Sequence, residues 1–209
     1  MATHKASAAA VSANNPCPFL RALVATEMLA DDGEPLGTVA KTIVATAKAG
    51  EGHPNLPYAA IYAIALIANG LSPLQIAKNR SSGLRLNALR GGPLDKQGAG
   101  SGIINKTGSI NKREFERLKE FASKKQDAAG TSELGLDEQE ITRFMDANFK
   151  RAEGRRRLVD RALMNGEWPV LLKVMGKDGA VGRYLSIAEL HDLFFALRLP
   201  ARMVDALAQ

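Results

Sequence analysis

Apolar residues recur every three to four positions along most of the chain, which is the spacing of amphipathic helices. Pro18 sits where a first-turn proline belongs and opens the first predicted helix, over about 18–30. A second helix is predicted over 38–48. The segment 58–68 is apolar on all sides, and a helix of that kind is normally buried, so we expect it at the centre of the core.

Helix-start pairs mark several later elements. Capping-box patterns fall at Ser72 with Gln75, Asn111 with Glu114, Asp137 with Glu140 and Ser186 with Glu189. Another helix is predicted over 168–175. Between these elements, the segment 80–109 is rich in glycine and its apolar residues show no periodic spacing, which indicates a long loop. No hairpin pattern competes, so the sequence predicts an all-α fold: one mostly helical domain over 15–209, with a long Gly-rich loop, behind a flexible arm over 1–14.

Length and composition limit the protein class. A chain of 209 residues with 45% hydrophobic content suits one well-buried core. The first fourteen residues lack the apolar run of a secretory signal. The longest apolar stretch, 59–68, is shorter than the roughly 20 residues that cross a bilayer. We therefore expect a soluble cytoplasmic protein that does not bind membranes.

The net charge of +6 raises the question of nucleic-acid binding, with Arg155, Arg156 and Arg157 as its best local support. These arginines lie beside Glu153 and Asp160 on a predicted helix, and aromatic residues make up only 5% of the chain. A short charge run of this kind is usually a solvated helix face. The sequence therefore predicts no nucleic-acid partner.

The single cysteine, Cys17, is the strongest chemical candidate, and being alone it excludes an internal disulfide. Pro16 and Pro18 flank it, and both stiffen the backbone beside the sulfur. The start of a helix next to Cys17 should favour its thiolate, the form that binds metal. Two other interpretations stay open, a redox-active nucleophile and a small buried apolar side chain.

The segment 16–23, Pro-Cys-Pro-Phe-Leu-Arg-Ala-Leu, with the acid-Gly turn at 31–33, resembles the opening of the chloroperoxidase family of haem-thiolate peroxidases and peroxygenases. The segment 185–200, ending in Arg-Leu-Pro, resembles that family's closing helix. The resemblance implies a chloroperoxidase-like fold that binds haem b through Cys17, with Pro16 and Pro18 beside the iron ligand. It also implies a peroxidase or peroxygenase that oxidises a small organic substrate with peroxide. The alternative is a haem-binding sensor or carrier without turnover.

The family's second motif, Glu-His-Asp or Glu-Gly-Asp followed by a serine, supplies a glutamate and a serine to a divalent cation beside a haem propionate. Here the matching stretch keeps Ser109, but Asn105, Lys106 and Thr107 replace the three signature residues. A hard cation requires carboxylate oxygens. We therefore predict no magnesium or manganese, and expect Lys106 either to neutralise a propionate directly or to be a solvated loop residue.

The family's distal acid lies in a Phe-x-Glu-x-Arg helix, and its nearest match places Asp146 in that role, with Glu140 as a less well placed substitute. An apolar pocket could raise the pKa of Asp146 enough for it to move a proton. The other interpretation is an ordinary exposed helix acid. His53 and His191 are candidates for a second axial ligand, although lone histidines seldom have that role.

A calcium-binding module is the third class. The stretch 103–114 has Gly108, Ile110 and Glu114 at EF-hand positions, but Ile103 stands where the first aspartate ligand is required. The span 178–189 has Arg183 in place of the invariant glycine. Both fail on the number of ligands, so calcium binding is a remote alternative.

Overall fold

The computed structural model describes residues 11–96, 98–153 and 157–209. Its helices in this part of the chain are α1 (Pro18–Ala25), α2 (Leu36–Lys48), α3 (Tyr58–Ile67), α4 (Pro73–Ser82), α5 (Lys112–Lys119), α6 (Glu138–Arg151), α7 (Asp160–Asn165), α8 (Trp168–Met175), α9 (Ile187–His191) and α10 (Ala201–Leu207). A 3-10 helix spans Leu86–Ala88, and a π-helical turn, Asp192–Ala196, follows α9.

The all-α prediction is wrong, because the chain also forms a four-stranded antiparallel sheet in the order β1-β2-β4-β3. The strands are β1 (Ser123–Gln126), β2 (Ser132–Leu136), β3 (Lys177–Gly179) and β4 (Gly182–Ser186). Gly135 of β2 faces Ser186 of β4. A Cβ atom at Gly135 would lie 2.4 Å from the Tyr184 ring, so only glycine fits where these strands pair.

Several predicted helix starts are confirmed. Asp137 and Glu140 form a complete capping box on α6, each side chain accepting the other residue's backbone N–H at 2.9 Å. The Ser72 hydroxyl accepts the Gln75 N–H at 3.2 Å and starts α4. Asn111 also precedes its helix, α5, but its side chain makes no capping hydrogen bond, so the capping box predicted there is wrong.

The core is centred on aromatic side chains rather than on α3. Phe144 is fully buried and meets the Trp168 ring edge to face, with centroids 5.2 Å apart. In α3 only Ala65 is buried, while Tyr58 and Ile64 are 43% and 49% exposed. The expectation that α3 forms the centre of the core is therefore wrong.

Side-chain hydrogen bonds anchor the chain just before Cys17. Arg21 donates to the Ser12 carbonyl at 3.0 Å, and Arg90 donates to the Ala13 carbonyl at 2.9 Å. The part of the predicted arm over 12–14 is thus bound to the domain, and residues 1–10 lie outside the described part.

Arg155 and Arg156 also lie outside the described residues, while Arg157 pairs with buried Asp160 at 2.7 Å. None of the described helices is both long and apolar enough to cross a membrane.

Candidate functional site

A cavity of about 450 Å³ lies beside Cys17, and we call it the Cys17 cavity. Its walls come from α1, α2, α3, α7 and α8 and from the loop that follows Leu84. Most of the lining is aliphatic, including Val39, Ile61, Leu94 and Leu171. Cofactor and ligand pockets have volumes of about 300–1,000 Å³ and mostly apolar walls with a few polar groups, so this cavity has the size and the composition of such a site.

Cys17 lies on the cavity wall between Pro16 and Pro18, directly before α1. Its backbone N–H donates to the Asn15 side-chain oxygen at 3.1 Å, and its carbonyl accepts the Arg21 N–H at 3.0 Å. Asn15 is fully buried, so this contact fixes the backbone beside the sulfur. The structure therefore brings together three of the predicted site residues: Pro16, Cys17 and Pro18.

The pKa of the Cys17 thiol departs from the sequence expectation. Burial raises this pKa, because the apolar walls disfavour the thiolate, and the negative charge of Glu167 adds to the increase. The N–H groups of Leu20 and Phe19 and the charge of Lys96 act in the opposite direction but do not outweigh burial. Without a bound cation the Cys17 side chain is therefore a protonated thiol at neutral pH.

Three charged residues that sequence analysis missed also line the cavity: Asp95, Lys96 and Glu167. The Lys96 ammonium lies 2.9 Å from the Glu167 carboxylate, and their side chains are only 19% and 23% exposed. Burial disfavours the charged ammonium, but the charge of Glu167, its hydrogen bond and the charges of Cys17 and Asp95 together outweigh this effect, so the pKa of Lys96 is raised. The cavity wall with the thiol thus also holds one cation, Lys96, and two acids, of which Glu167 pairs with that cation.

The surrounding elements hold this ion pair in place. Glu167 immediately precedes α8, and the next residue, Trp168, is anchored in the aromatic core. Lys96 follows Asp95, whose carbonyl accepts a hydrogen bond from Arg157 at 2.5 Å. Arg157 also bonds Asp160, so it ties the loop that carries Lys96 to the start of α7.

Comparison with protein-family models, with curated proteins and with solved structures gives no match.

The loop with Asn105 and Ser109 lies outside the cavity lining. The Asn105 amide donates to the Ser109 hydroxyl at 2.6 Å, and its oxygen accepts the Thr107 N–H at 2.9 Å. Arg21 of α1 donates to the Gly108 carbonyl at 3.1 Å, so the loop packs beside the Cys17 segment. Lys106 is exposed on this loop and not at the cavity.

Asp146, predicted as the distal acid, does not line the cavity either. Its side chain is 60% exposed and forms an ion pair with Arg161 at 2.9 Å. Glu140, the substitute, belongs to the capping box of α6 and pairs with Lys125 at 2.9 Å. The structure therefore places neither acid beside Cys17.

The two histidine candidates are exposed and lie away from the cavity lining. The His53 Nδ1 atom bonds the Lys48 carbonyl at 2.9 Å in a surface turn. His191 stacks on Phe195, with ring centroids 4.4 Å apart. Neither is positioned to ligate an iron bound at Cys17.

In the EF-hand-like stretch 103–114, the Glu114 carboxylate is paired with two arginines. Glu114 pairs with Arg151 at 2.7 Å and with Arg117 at 3.1 Å, and these contacts lower the pKa of Glu114. Within the described ranges no three His, Cys, Asp or Glu side chains cluster as ligands for a metal ion.

Proposed function

We propose that the protein binds haem b in the Cys17 cavity, with the Cys17 sulfur as the iron ligand. The observation that carries the proposal is a single thiol on the wall of a mostly apolar cavity of about 450 Å³ that also holds the Lys96–Glu167 ion pair. The resemblance of 16–23 and 185–200 to the chloroperoxidase family supports the same ligand. The cytoplasmic location stays a prediction from the sequence.

The residues present fit such a cofactor. Aliphatic side chains of α2, α3 and α8 match the apolar ring system, and Cys17 supplies one sulfur ligand. Lys96 is the cation that would pair with a propionate, one of the two alternatives that the sequence leaves open for Lys106. Lys106 is exposed on a loop that does not contribute to the cavity lining, which favours the other alternative, a solvated loop residue.

We propose peroxide-dependent oxidation of a small apolar molecule as the reaction. Haem with a thiolate ligand supplies the cleavage of the peroxide O–O bond. In this chain Glu167 is the group that would take a proton from peroxide and return it, since its carboxylate borders the cavity beside the Lys96 ammonium. The other acid of the lining, Asp95, accepts the Gly91 N–H at 2.8 Å. The apolar walls would hold the substrate and exclude water.

The ion pair itself favours a second candidate, a haem sensor or carrier without turnover. Lys96 lies 2.9 Å from Glu167, and this contact competes with peroxide for the carboxylate oxygens. Turnover requires this contact to loosen when haem and peroxide bind. A protein in which the contact persists would bind haem and remain inactive.

Haem titration of the purified protein tests the cofactor. We expect saturable binding and, in the ferrous carbon monoxide complex, the red-shifted absorption band of thiolate ligation, which Cys17→Ala should abolish. Ser109→Ala is the matched control, because Ser109 lies on an exposed loop outside the cavity. A protein that binds no added haem would refute the proposal.

Peroxide-dependent oxidation of a simple aromatic compound then separates the two candidates. For an enzyme, Glu167→Gln should lower the rate at least about 100-fold, the usual size of a general acid–base contribution. Asp146→Asn should leave the rate unchanged, because Asp146 faces solvent. Haem binding without any such oxidation in the wild type supports the sensor or carrier.

A further inference from the structure

Four large apolar side chains are exposed on consecutive elements, and we call them the α3–α4 surface: Tyr58, Ile64, Leu71 and Leu74. They are 43%, 49%, 63% and 81% exposed. Helices α3 and α4 pack against each other, so these side chains belong to one region of the molecule. Isolated exposed leucines are common, but a concentration of this kind indicates a binding surface.

Hydrogen bonds fix the backbone of the turn that carries Leu71 and of the helix α4 that carries Leu74. Asn69 donates to the Arg85 carbonyl at 2.8 Å and accepts the Arg85 N–H at 3.0 Å. Asn79 of α4 is buried and donates to the Leu66 carbonyl of α3 at 2.8 Å. Because the turn is already ordered, a partner that covers Leu71 and Leu74 would lose little conformational entropy there.

The charge of this region is one-sided. Between Glu51 and Asp95 the sequence contains no Asp or Glu, whereas Lys78 and Arg80 are exposed on α4. Lys78 lies one helical turn after Leu74, so the cation and the leucine share a face. Asp32, from the loop before α2, shares a shallow depression with Lys78 but forms no ion pair within the described ranges.

The excess of cations on the α3–α4 surface favours an anionic membrane over a second copy of the chain as the partner. A symmetric contact between two copies would bring Lys78 and Arg80 toward the same cations of the second molecule, and Asp32 is the one acid among the residues that line the depression beside Lys78. A surface that is both anionic and apolar below its charged layer satisfies the cations and the leucines together. An anionic phospholipid membrane has this chemistry.

We propose that the α3–α4 surface docks on anionic phospholipid membranes, with Leu71 and Leu74 entering the boundary of the acyl chains and Lys78 and Arg80 at the phosphates. The protein would lie on the membrane without spanning it, in contrast to the sequence expectation of no membrane partner. Ile64 also borders the Cys17 cavity, so the cavity rim would face the lipid. The proposal does not depend on haem.

Co-sedimentation with phosphatidylcholine vesicles, with and without one-quarter phosphatidylglycerol, tests the docking of the full chain. We expect binding to the anionic vesicles, weakened at least tenfold by the double variant Leu71→Asp, Leu74→Asp. Lys78→Glu with Arg80→Glu should also weaken binding and reduce its dependence on salt. Val181→Asp is the matched control, since Val181 is fully exposed in the β3–β4 turn. Circular dichroism checks that each variant is folded.

Two results would overturn the proposal. One is the absence of binding to anionic vesicles, or binding that the leucine variant leaves unchanged. The other is a concentration-dependent dimer in sedimentation velocity that the leucine variant dissociates, in a protein that does not bind vesicles. That result would assign the surface to a second copy.

Discussion

Removing either partner of the Lys96–Glu167 ion pair should destabilise the folded protein, and removing both should nearly restore its stability. Both side chains are largely shielded, with 19% and 23% exposure, and their charged atoms are 2.9 Å apart. In Lys96→Met the Glu167 carboxylate stays in the apolar wall without its cation. In Glu167→Gln the Lys96 ammonium stays in the apolar wall without its anion.

The size of the expected loss of stability follows from the burial of the Lys96–Glu167 pair. At 2.9 Å and an effective dielectric constant of about 20, two unit charges attract by about 6 kcal/mol, most of which offsets the cost of removing them from water. Breaking a fully buried pair costs about 3–5 kcal/mol. Because each side chain here retains about a fifth of its exposure, we expect about 2 kcal/mol for each single variant. The double variant should lie within about 1 kcal/mol of the wild type.

Urea unfolding of the haem-free protein at pH 7 gives the four free energies of this double-mutant cycle. The pair Asp146–Arg161 is a matched control, because its charged atoms are also 2.9 Å apart while its side chains are 60% and 29% exposed. Its coupling should be about 0.2–1 kcal/mol. If Lys96–Glu167 shows no larger coupling than this control, the idea that the cavity wall shields the pair is refuted.

The same pair gives a pH dependence. The pKa of Lys96 is raised in the folded state, so its contribution to stability is fully present below the ordinary lysine pKa of about 10.4. That contribution is lost as the pH rises through the higher pKa of the folded state. The coupling at pH 7 and pH 9 should therefore be equal, and a coupling that disappears by pH 9 would contradict the assignment.

Two further predictions concern the core and the sheet. Phe144→Ala should lower the free energy of unfolding by about 3–5 kcal/mol, because Phe144 is fully buried against Trp168, while Val181→Ala at an exposed turn should change it by less than about 0.5 kcal/mol in the same urea assay. Burial and the hydrogen bond to Glu133 raise the pKa of Tyr184 to about 12, so its absorbance step should appear there in a spectrophotometric titration and vanish in Tyr184→Phe. Since this pKa is raised on folding, stability should fall as the pH rises from about 10 to about 12.

Local sequence signals predicted the elements that depend on local contacts. The helix over 168–175 has the predicted bounds, because Pro169 near its start and Gly176 after its end act within one turn. The capping box of Asp137 and Glu140 likewise joins residues three apart. Such interactions need no knowledge of the rest of the fold.

Local sequence signals could not predict the sheet, because ion pairs stabilise part of it and its strands lack a regular alternation of apolar and polar residues. Lys125 of β1 pairs with Asp137 at 2.6 Å. Lys177 of β3 pairs with Glu133 of β2, and Glu133 also accepts a hydrogen bond from Tyr184 at 2.7 Å. These strands carry charges where a period-two pattern would place apolar residues, so the hydrophobic pattern contains no strand signal.

The cavity likewise combines a local feature, which the sequence reveals, with contacts between residues that are distant along the chain. Pro16, Cys17 and Pro18 are adjacent along the chain, so the sequence alone is enough to identify the prolines that flank the thiol. Lys96 comes from the Gly-rich loop and Glu167 from the residue before α8, and no motif joins them. Their contact arises only when Trp168 enters the aromatic core and Arg157 fixes the loop.

Helix α3 explains how one apolar segment misled the assignment of the core. Ile61 and Ala65 on its inner side line the Cys17 cavity, and Ile64 at the rim is 49% exposed. Such a helix is apolar on all sides because a cavity lies on one side and the α3–α4 surface on the other, and hydropathy cannot distinguish this from burial in a core. An apolar substrate leaving a lipid layer would then meet apolar side chains from the rim to the thiol. Loss of vesicle binding in the leucine variants, with haem binding intact, would separate these two surfaces.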